Sequence, residues 1–356
     1  MSALRPYRPW LIAAGVAVVL AVLPLLAIPG LGILPGPTYT PGSLHLMSYV
    51  MVMVALALTY HLMFGTAGLL TFGHALSFAV GAYGLAMVLQ YTDLPLLPAA
   101  CVVLVAGVAL THLLGAISLR VSGISFAMVT LAFAEAGNVL TRRNPGRVTG
   151  GDEGLALRTT NIPADLVGVV NTRNLYWIAL AVVVGVFVVV AWVEHTRAGH
   201  VIAATRENEV RVRVLGGRPY LVKLLTFVVA GTLAIVAGMA YLLLQSGATP
   251  HASSTTLTLS LLVMVVLGGV GKRWGAVVGA IVYTMLDARL VALSNSPAIA
   301  GLPAVLRVPL SEPMFLLGSL FIAFVIFLPG GIAGFADRFR GRARTADQRD
   351  VLEVAP

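Results

Sequence analysis

Charge is scarce in this chain, and acidic charge most of all: Asp, Glu, Lys and Arg make up 10% of its 356 residues, and Asp and Glu account for only 14 of them. Soluble domains carry about 25% charged residues, so a water-soluble domain of this length is excluded. Cysteine is nearly absent. Cys101 stands alone inside an apolar run, which rules out an internal disulfide framework and a thiolate metal site. Aromatic residues do not interleave with basic ones, so the net charge of +9 is not the mark of a nucleic-acid-binding face. A phosphate-binding loop is missing too. The stretch Gly268 to Arg273 reads GGVGKR, with the wrong spacing for GxxxxGK and with Arg273 where a magnesium-holding hydroxyl belongs. No Ser/His pair or metal-ligand cluster stands at a spacing that supports catalysis, so no catalytic residue, bound metal or cofactor is expected in this chain.

Apolar sequence fills the space: 58% of residues are hydrophobic and the mean hydropathy is +0.94. A bilayer core about 30 Å thick needs about 20 apolar residues per helix. Such runs are Trp10 to Ile28, Leu44 to Phe64, Leu69 to Gln90, Pro95 to Leu119, Ile124 to Leu140, Leu175 to Glu194, Leu224 to Leu244 and Met314 to Leu328. Shorter pieces, Leu257 to Val270 and Trp274 to Leu293, flank Lys272 and Arg273, and the first is short enough for a re-entrant or broken helix. The expected fold class is an all-α polytopic membrane protein with about 10 spans, or about 8 if that pair folds back. Either number is even and leaves both termini on one side.

Lysine and arginine orient the spans. Arg5 and Arg8 before the first run, Arg120 after the fourth, the stretch Arg197 to Lys223, and Arg338, Arg340, Arg342, Arg344 and Arg349 share the cytoplasmic side if the N-terminus is cytoplasmic. The loop over residues 141–174 then lies outside, although it carries Arg142, Arg143, Arg147, Arg158 and Arg173. The first run follows a basic start, as a signal peptide would. Its apolar length of about 19 residues, with no small-x-small cleavage site, favours a retained anchor. Residues 1–334 read as a single membrane domain, and 335–356 as a basic, disordered cytoplasmic tail.

One long polar segment has a repeating charge order: RAGHVIAATRENEVRVRVLGG, Arg197 to Gly217. Glu207 precedes Arg211 as Glu209 precedes Arg213, an i,i+4 order that supports a helix in water, and Gly216 and Gly217 supply a stop. Such pairs contribute only about 0.2–0.5 kcal/mol each, so the segment reads equally as a solvated helical loop or as a lever worked from outside the chain. Within the apolar runs, Gly73, Ser77 and Gly81 recur at i,i+4 spacing, as do Gly271, Gly275 and Gly279. That spacing places small residues on one helix face and is most often plain close packing. His74 and Tyr83 sit among the first set, where they either line a path or satisfy internal hydrogen bonds. Glu135 is expected to face the bundle interior, because a carboxylate at the centre of a span costs about 2.5–3.5 kcal/mol unless it meets a cavity or a partner. Asp287 and Arg289, near the end of a run, read as snorkelling interfacial residues.

Four motifs follow in order: GTAGLLTFGHALSFAVGAYG (Gly65 to Gly84), LRVSGISFAMVTLAFAEAGNVL (Leu119 to Leu140), TGGDEGL (Thr149 to Leu155), and RAGHVIAATRENEVRVRVLGGRPYLVKLLTFVVAGTLAIVAG (Arg197 to Gly238), with LPGGIAG (Leu328 to Gly334) after them. In that order, the chain resembles the LivM-type permease subunit of bacterial ABC importers for branched-chain amino acids, a group that also includes urea and amide importers. The resemblance implies an ABC importer permease fold, a multi-pass protein of the bacterial cytoplasmic (inner) membrane with both termini cytoplasmic. It implies a second, LivH-like permease subunit, one or two ATPase subunits that use ATP and magnesium, and an extracytoplasmic substrate-binding protein.

In that family the loop over 195–223 resembles the coupling segment that docks in a groove of the ATPase, and the positions carried over are Gly199, Ala203, Arg206, Glu207, Glu209 and Gly216. GGRP at Gly216 to Pro219 departs from the family pattern, in which one Gly precedes a polar or apolar pair. The translocation path is expected at Gly73, His74, Gly81, Tyr83 and Glu135. Arg142, Arg143 and Arg147, beside TGGDEGL on the outer loop, are expected to dock the binding protein through its acidic patches, the alternative being anionic headgroups. An ion-coupled secondary transporter would need midplane ionisable groups on several spans, and only Glu135, His61, His74 and His112 qualify. A channel would carry a filter motif or a charged ring, and neither is seen. TGGDEGL leans towards branched-chain or other hydrophobic amino acids, whereas RENEVRVRVLG resembles urea-type subunits almost as well, so urea or a short amide stays open.

Overall fold

The computed structural model describes residues 8–29, 34–294, 312–327 and 330–334, and the basic tail at 335–356 and Arg5 lie outside the described residues. The chain divides into two compact units, residues 1–258 and 259–356. In the first, the apolar runs become α1 (Arg8–Val22), α2 (Pro41–His61), α3 (His74–Tyr91), α4 (Leu96–Ser118), α5 (Ile124–Arg143), α6 (Thr172–His195) and α9 (Pro219–Gln245), with α7 (Arg197–Glu207) and α8 (Glu209–Val214) as short helices between the last two. α10 (Thr255–Gly268) crosses the boundary, and the second unit holds α11 (Arg273–Ser294) and α12 (Pro313–Phe327).

Among the described residues, six segments are long and apolar enough to cross a membrane: Pro41–Thr66, Leu96–Ser118, Ile124–Arg143, Val169–His195, Pro219–Gln245 and Arg273–Val291. Shorter apolar helices lie at Ala13–Leu25, Thr255–Gly268 and Met314–Phe324. The protein is an all-α, multi-pass membrane protein. Its only sheet among the described residues is a two-stranded ribbon, β1 (Leu155–Ala156) against β2 (Gly247–Ala248), antiparallel with Leu155 opposite Ala248.

Helix boundaries follow local chemistry. Pro41 opens α2 and Pro219 opens α9, positions where the missing N–H costs nothing. Asn144, left-handed at φ 49°, ends α5. α6 and α9 start earlier than the apolar runs suggest, because the polar Thr172 to Asn174, and Pro219 and Lys223 on either side of Tyr220 to Val222, lie outside an unbroken apolar run yet are helical.

In the first unit α9 packs against α2, α3, α4 and α6, while α2 also packs on α6 and α3 on α4 and α5. The α3–α9 contact is built from glycines on both sides: a Cβ on Gly81 would strike the Ile235 carbonyl, and one on Gly238 would strike the Phe78 carbonyl. Ser77 lies beside Gly231 of α9 in the same seam. The expected stripe of small residues is therefore real for Ser77 and Gly81. Gly73 is a correction: it precedes α3 as its N-cap and lies against the Thr130 carbonyl of α5.

A second correction concerns residues 67–73, which interrupt what hydropathy reads as a continuous run from Leu69. α2 ends in a π turn, Leu62–Thr66, and the chain stays irregular until His74. Irregular backbone between apolar helices requires hydrogen-bond partners from the protein, and they are present. The Leu69 amide donates to the Met63 carbonyl at 2.9 Å, the Phe72 amide to Thr130 Oγ1 at 3.2 Å, and the Tyr60 hydroxyl to the Thr71 carbonyl at 3.1 Å.

In the second unit, Gly275 and Gly279 of α11 abut the backbone of α10 at Gly268 and Met264. Gly271 differs from them: at φ 87° it belongs to the turn joining the two helices. With 14 residues, α10 is about 21 Å long, shorter than the hydrocarbon core.

Candidate coupling segment, membrane path and outer rim

The polar segment after α6 is two helices and not one. Thr196 caps α7, its Oγ1 accepting from the Gly199 amide at 3.2 Å. Gly199 is buried, and a Cβ there would strike the Val193 carbonyl, so the sharp α6–α7 turn requires glycine. Asn208 breaks the helix with an extended backbone (φ −157°, ψ 101°) and caps α8 by accepting from the Arg211 amide at 2.9 Å. The break places Glu207 and Arg211 on different helices, so the expected pair between them has no common helix face. The Glu209–Arg213 pair does form, at 3.3 Å.

Two of the expected coupling residues are tied to other elements, although Arg206 itself stays exposed. Arg206 donates from Nη1 to the Gly65 carbonyl of the π turn, and its stem runs along Gly68. Glu209 accepts from Lys223 Nζ at the start of α9, 2.5 Å away. Ala203, Glu207 and Gly216 are exposed. Beside them lies an apolar face that the charge pattern concealed: Val210 is 67% exposed, Val214 81% and Leu215 81%. The i,i+4 spacing of Val210 and Val214, opposite the buried Val212, was the available signal. Beneath the segment a cavity of about 990 Å³ opens between the α2–α3 connection, the α4–α5 connection and the start of α9. Arg120, Arg206, Arg213 and Lys223 line it, with Glu209 among them.

His74 and Tyr83 lie in the interior packing of α3, 3% and 2% exposed. Thr59 Oγ1 sits 2.7 Å from His74 Nε2 and also donates to the Leu56 carbonyl. With the hydroxyl proton committed there, His74 Nε2 is the donor to Thr59. The imidazole packs edge-on to Tyr60, centroids 5.6 Å apart.

Glu135 does not face the interior of this chain. On α5 the inward face carries Ala127, Thr130, Ala134, Asn138 and Thr141, spaced so that Glu135 falls on the exposed side. Its carboxylate accepts from Thr255 Oγ1 at the start of α10.

The candidate outer rim, over residues 141–174, is stitched rather than loose. Arg142 lies 3.6 Å from Asp152 with both side chains largely exposed, Arg143 is exposed, and the Arg147 carbonyl accepts from the Tyr91 hydroxyl at 3.1 Å. In TGGDEGL, Thr149 Oγ1 donates to the Thr141 carbonyl at 2.8 Å. Gly150 (φ 77°) and Gly154 (φ 79°) close a turn too tight for side chains, which carries the chain into the β1–β2 ribbon.

Known proteins match this sequence. The family described as the permease component of branched-chain amino acid transport systems matches residues 43–329. The high-affinity branched-chain amino acid transport system permease protein LivM of Salmonella typhimurium is 27% identical over 317 residues, covering 82% of this chain and 70% of the relative. Its counterpart in Escherichia coli is 26% identical over the same shares. With the helices α3 to α12, the connecting polar segment and the TGGDEGL turn all inside the matched span, the chain belongs to the permease-component family of branched-chain amino acid transport systems, the membrane subunits of ABC importers.

Proposed function

We propose that this chain forms, with a second LivH-like permease subunit, the path of an importer for branched-chain or other hydrophobic amino acids, and that separate ATPase subunits hydrolyse ATP with magnesium and drive it. The observation that carries this reading is the α7–α8 segment. It is a short rigid pair of helices fastened from within by Arg206 and Glu209 and presenting Ala203, Glu207, Val210, Val214 and Leu215 outward. A solvated loop has no reason to present a valine pair and a leucine to water, whereas a docking surface for another subunit does. Rigid helices bolted to spanning helices turn movement of the docked subunit into movement of those spans.

Glu135 supports the path. A carboxylate on the exposed face of a spanning helix needs water or a polar partner, and we assign that face to the side turned towards the second permease subunit. Gly73, His74, Gly81 and Tyr83 act on the path through the packing of α3. On the far side, Arg142, Arg143 and Arg147 form the basic rim that receives the binding protein. Both termini are then cytoplasmic, the membrane is the bacterial cytoplasmic membrane, and residues 1–334 act as one permease domain ahead of a cytoplasmic tail.

Proteoliposomes holding this chain with its neighbouring permease and ATPase subunits test the proposal, with leucine, alanine and urea each presented by the cognate binding protein. ATP-dependent leucine uptake is expected. Uptake of urea alone would move the protein to the amide branch of the importers, and uptake without the ATPase would overturn the proposal in favour of a secondary transporter.

A further inference from the structure

The motif GTAG, Gly65 to Gly68, has no role in the path or in docking, yet three elements converge on it. Gly65 is buried within the π turn and its φ is not in the left-handed region, so glycine is not there for backbone freedom. It is there for space: a Cβ at Gly65 would land on Nδ1 of His61. The His61 side chain, fully buried, points its Nε2 at Glu194 Oε1, 3.0 Å away. Thr66 Oγ1 donates to the same oxygen at 3.0 Å. Glu194 is next to last in α6, immediately ahead of the α7 cap at Thr196. From α7 itself, Arg206 donates to the Gly65 carbonyl, and its stem occupies the place a side chain on Gly68 would need.

Stability alone does not select this arrangement. A carboxylate in the last turn of a helix opposes the helix dipole, and a polar pair drawn into the interior seldom stabilises more than an apolar pair of the same volume, its best-attested use being to fix a register or a switch. The pair and the Arg206 bond also join α2 to both sides of one joint, the α6–α7 corner that opens the polar segment. We propose that the Gly65–Gly68 turn is the receiver of the coupling segment: displacement of the α6–α7 corner reaches α2 through Glu194, His61 and Thr66 and through Arg206 on Gly65, so that His61, Thr66 and Glu194 are positioning residues for transport. This rests on the reading of α7–α8 as the segment a separate ATPase moves.

The test measures substrate uptake and phosphate release in the same proteoliposomes, with the full complex, loaded binding protein and whichever of leucine, alanine or urea the wild type carries. For Glu194→Gln, binding-protein-stimulated phosphate release stays within about twofold of wild type while substrate moved per ATP falls about tenfold, the size expected when hydrogen bonds to a charged acceptor become bonds to a neutral amide oxygen on a coupling route. Thr66→Val loses about threefold in the same ratio. His61→Gln keeps more of the ratio than His61→Ala, since its amide can still donate to Glu194. Subunit stoichiometry on purification is unchanged in each. Uptake and hydrolysis falling in equal proportion, or an unchanged ratio in Glu194→Gln, overturns the receiver; if Glu194→Gln does not assemble, the Thr66→Val ratio decides alone. A wild type without ATP-dependent uptake sinks the importer reading and the receiver with it, whereas wild-type uptake with unaltered ratios in the variants overturns the receiver only.

Discussion

The α3–α9 seam and the α7–α8 segment are held by opposite means. In the seam, glycines let backbone meet backbone, with Gly81 on the Ile235 carbonyl and Gly238 on the Phe78 carbonyl. In the segment, beyond the Gly199 corner and the buried Ile202 and Val212, contact runs through the ends of long side chains, Glu209 to Lys223 and Arg206 to Gly65. Backbone contact tolerates no added atom, because the opposing carbonyl cannot step aside. Side-chain contact can be remade at modest cost, since a partly exposed ion pair contributes about 0–1 kcal/mol. The seam is therefore where the bundle keeps its form, and the segment is where it can respond to a partner.

Substitutions can break that contrast. The largest effect is expected from Gly81→Val, which forces α3 and α9 apart and destabilises by about 3 kcal/mol or more. Thermal unfolding in detergent reads it, and an unshifted transition would show that the seam yields like the segment. Val214→Asp with Leu215→Asp should leave unfolding within about 0.5 kcal/mol, as for exposed positions. The same pair of changes weakens recovery of the ATPase subunit on affinity purification about 30-fold, the scale of an interface hot spot. Loss of stability in place of binding would place those residues in the fold. The smallest effect belongs to the outer rim, where Arg142→Glu with Arg143→Glu lowers binding-protein stimulation of ATP hydrolysis about threefold at low salt, and less at high salt as screening removes the attraction. A response equal to wild type at all ionic strengths would return those arginines to the lipid headgroups.

Apolar length made the helices legible in advance, and the charge order marked out residues 197–217. The Asn208 break was not legible, because Asn is compatible with a helix interior until its side chain is seen to cap the next amide. Hydropathy also could not tell residues 69–73 from a helix, since it measures apolarity and not where the amides find acceptors. Arg206 and Glu209 look like outward charges in the sequence. Their partners, Gly65 and Lys223, lie in other helices, just as Glu194 stands 133 residues from His61. Glu135 was misplaced for a different reason: its cost in a span identified it, but the face it occupies follows from the spacing of Ala127, Ala134 and Asn138 on α5.

The irregular stretch between α2 and α3 also bears on how the protein is made. Some of its amides close locally, as Leu69 does on Met63, but others do not: Phe72 waits for Thr130, 58 residues further along, and the first turn of α3 waits longer still, Ala75 donating to Thr258, 183 residues away. A chain threaded into lipid from its N-terminus brings those donors in well before their acceptors exist, and hydrocarbon offers them nothing. The α2–α3 hairpin must then linger beside water or the insertion machinery until α5 and the start of α10 arrive, so the order of biogenesis is written into hydrogen bonds that the finished fold hides.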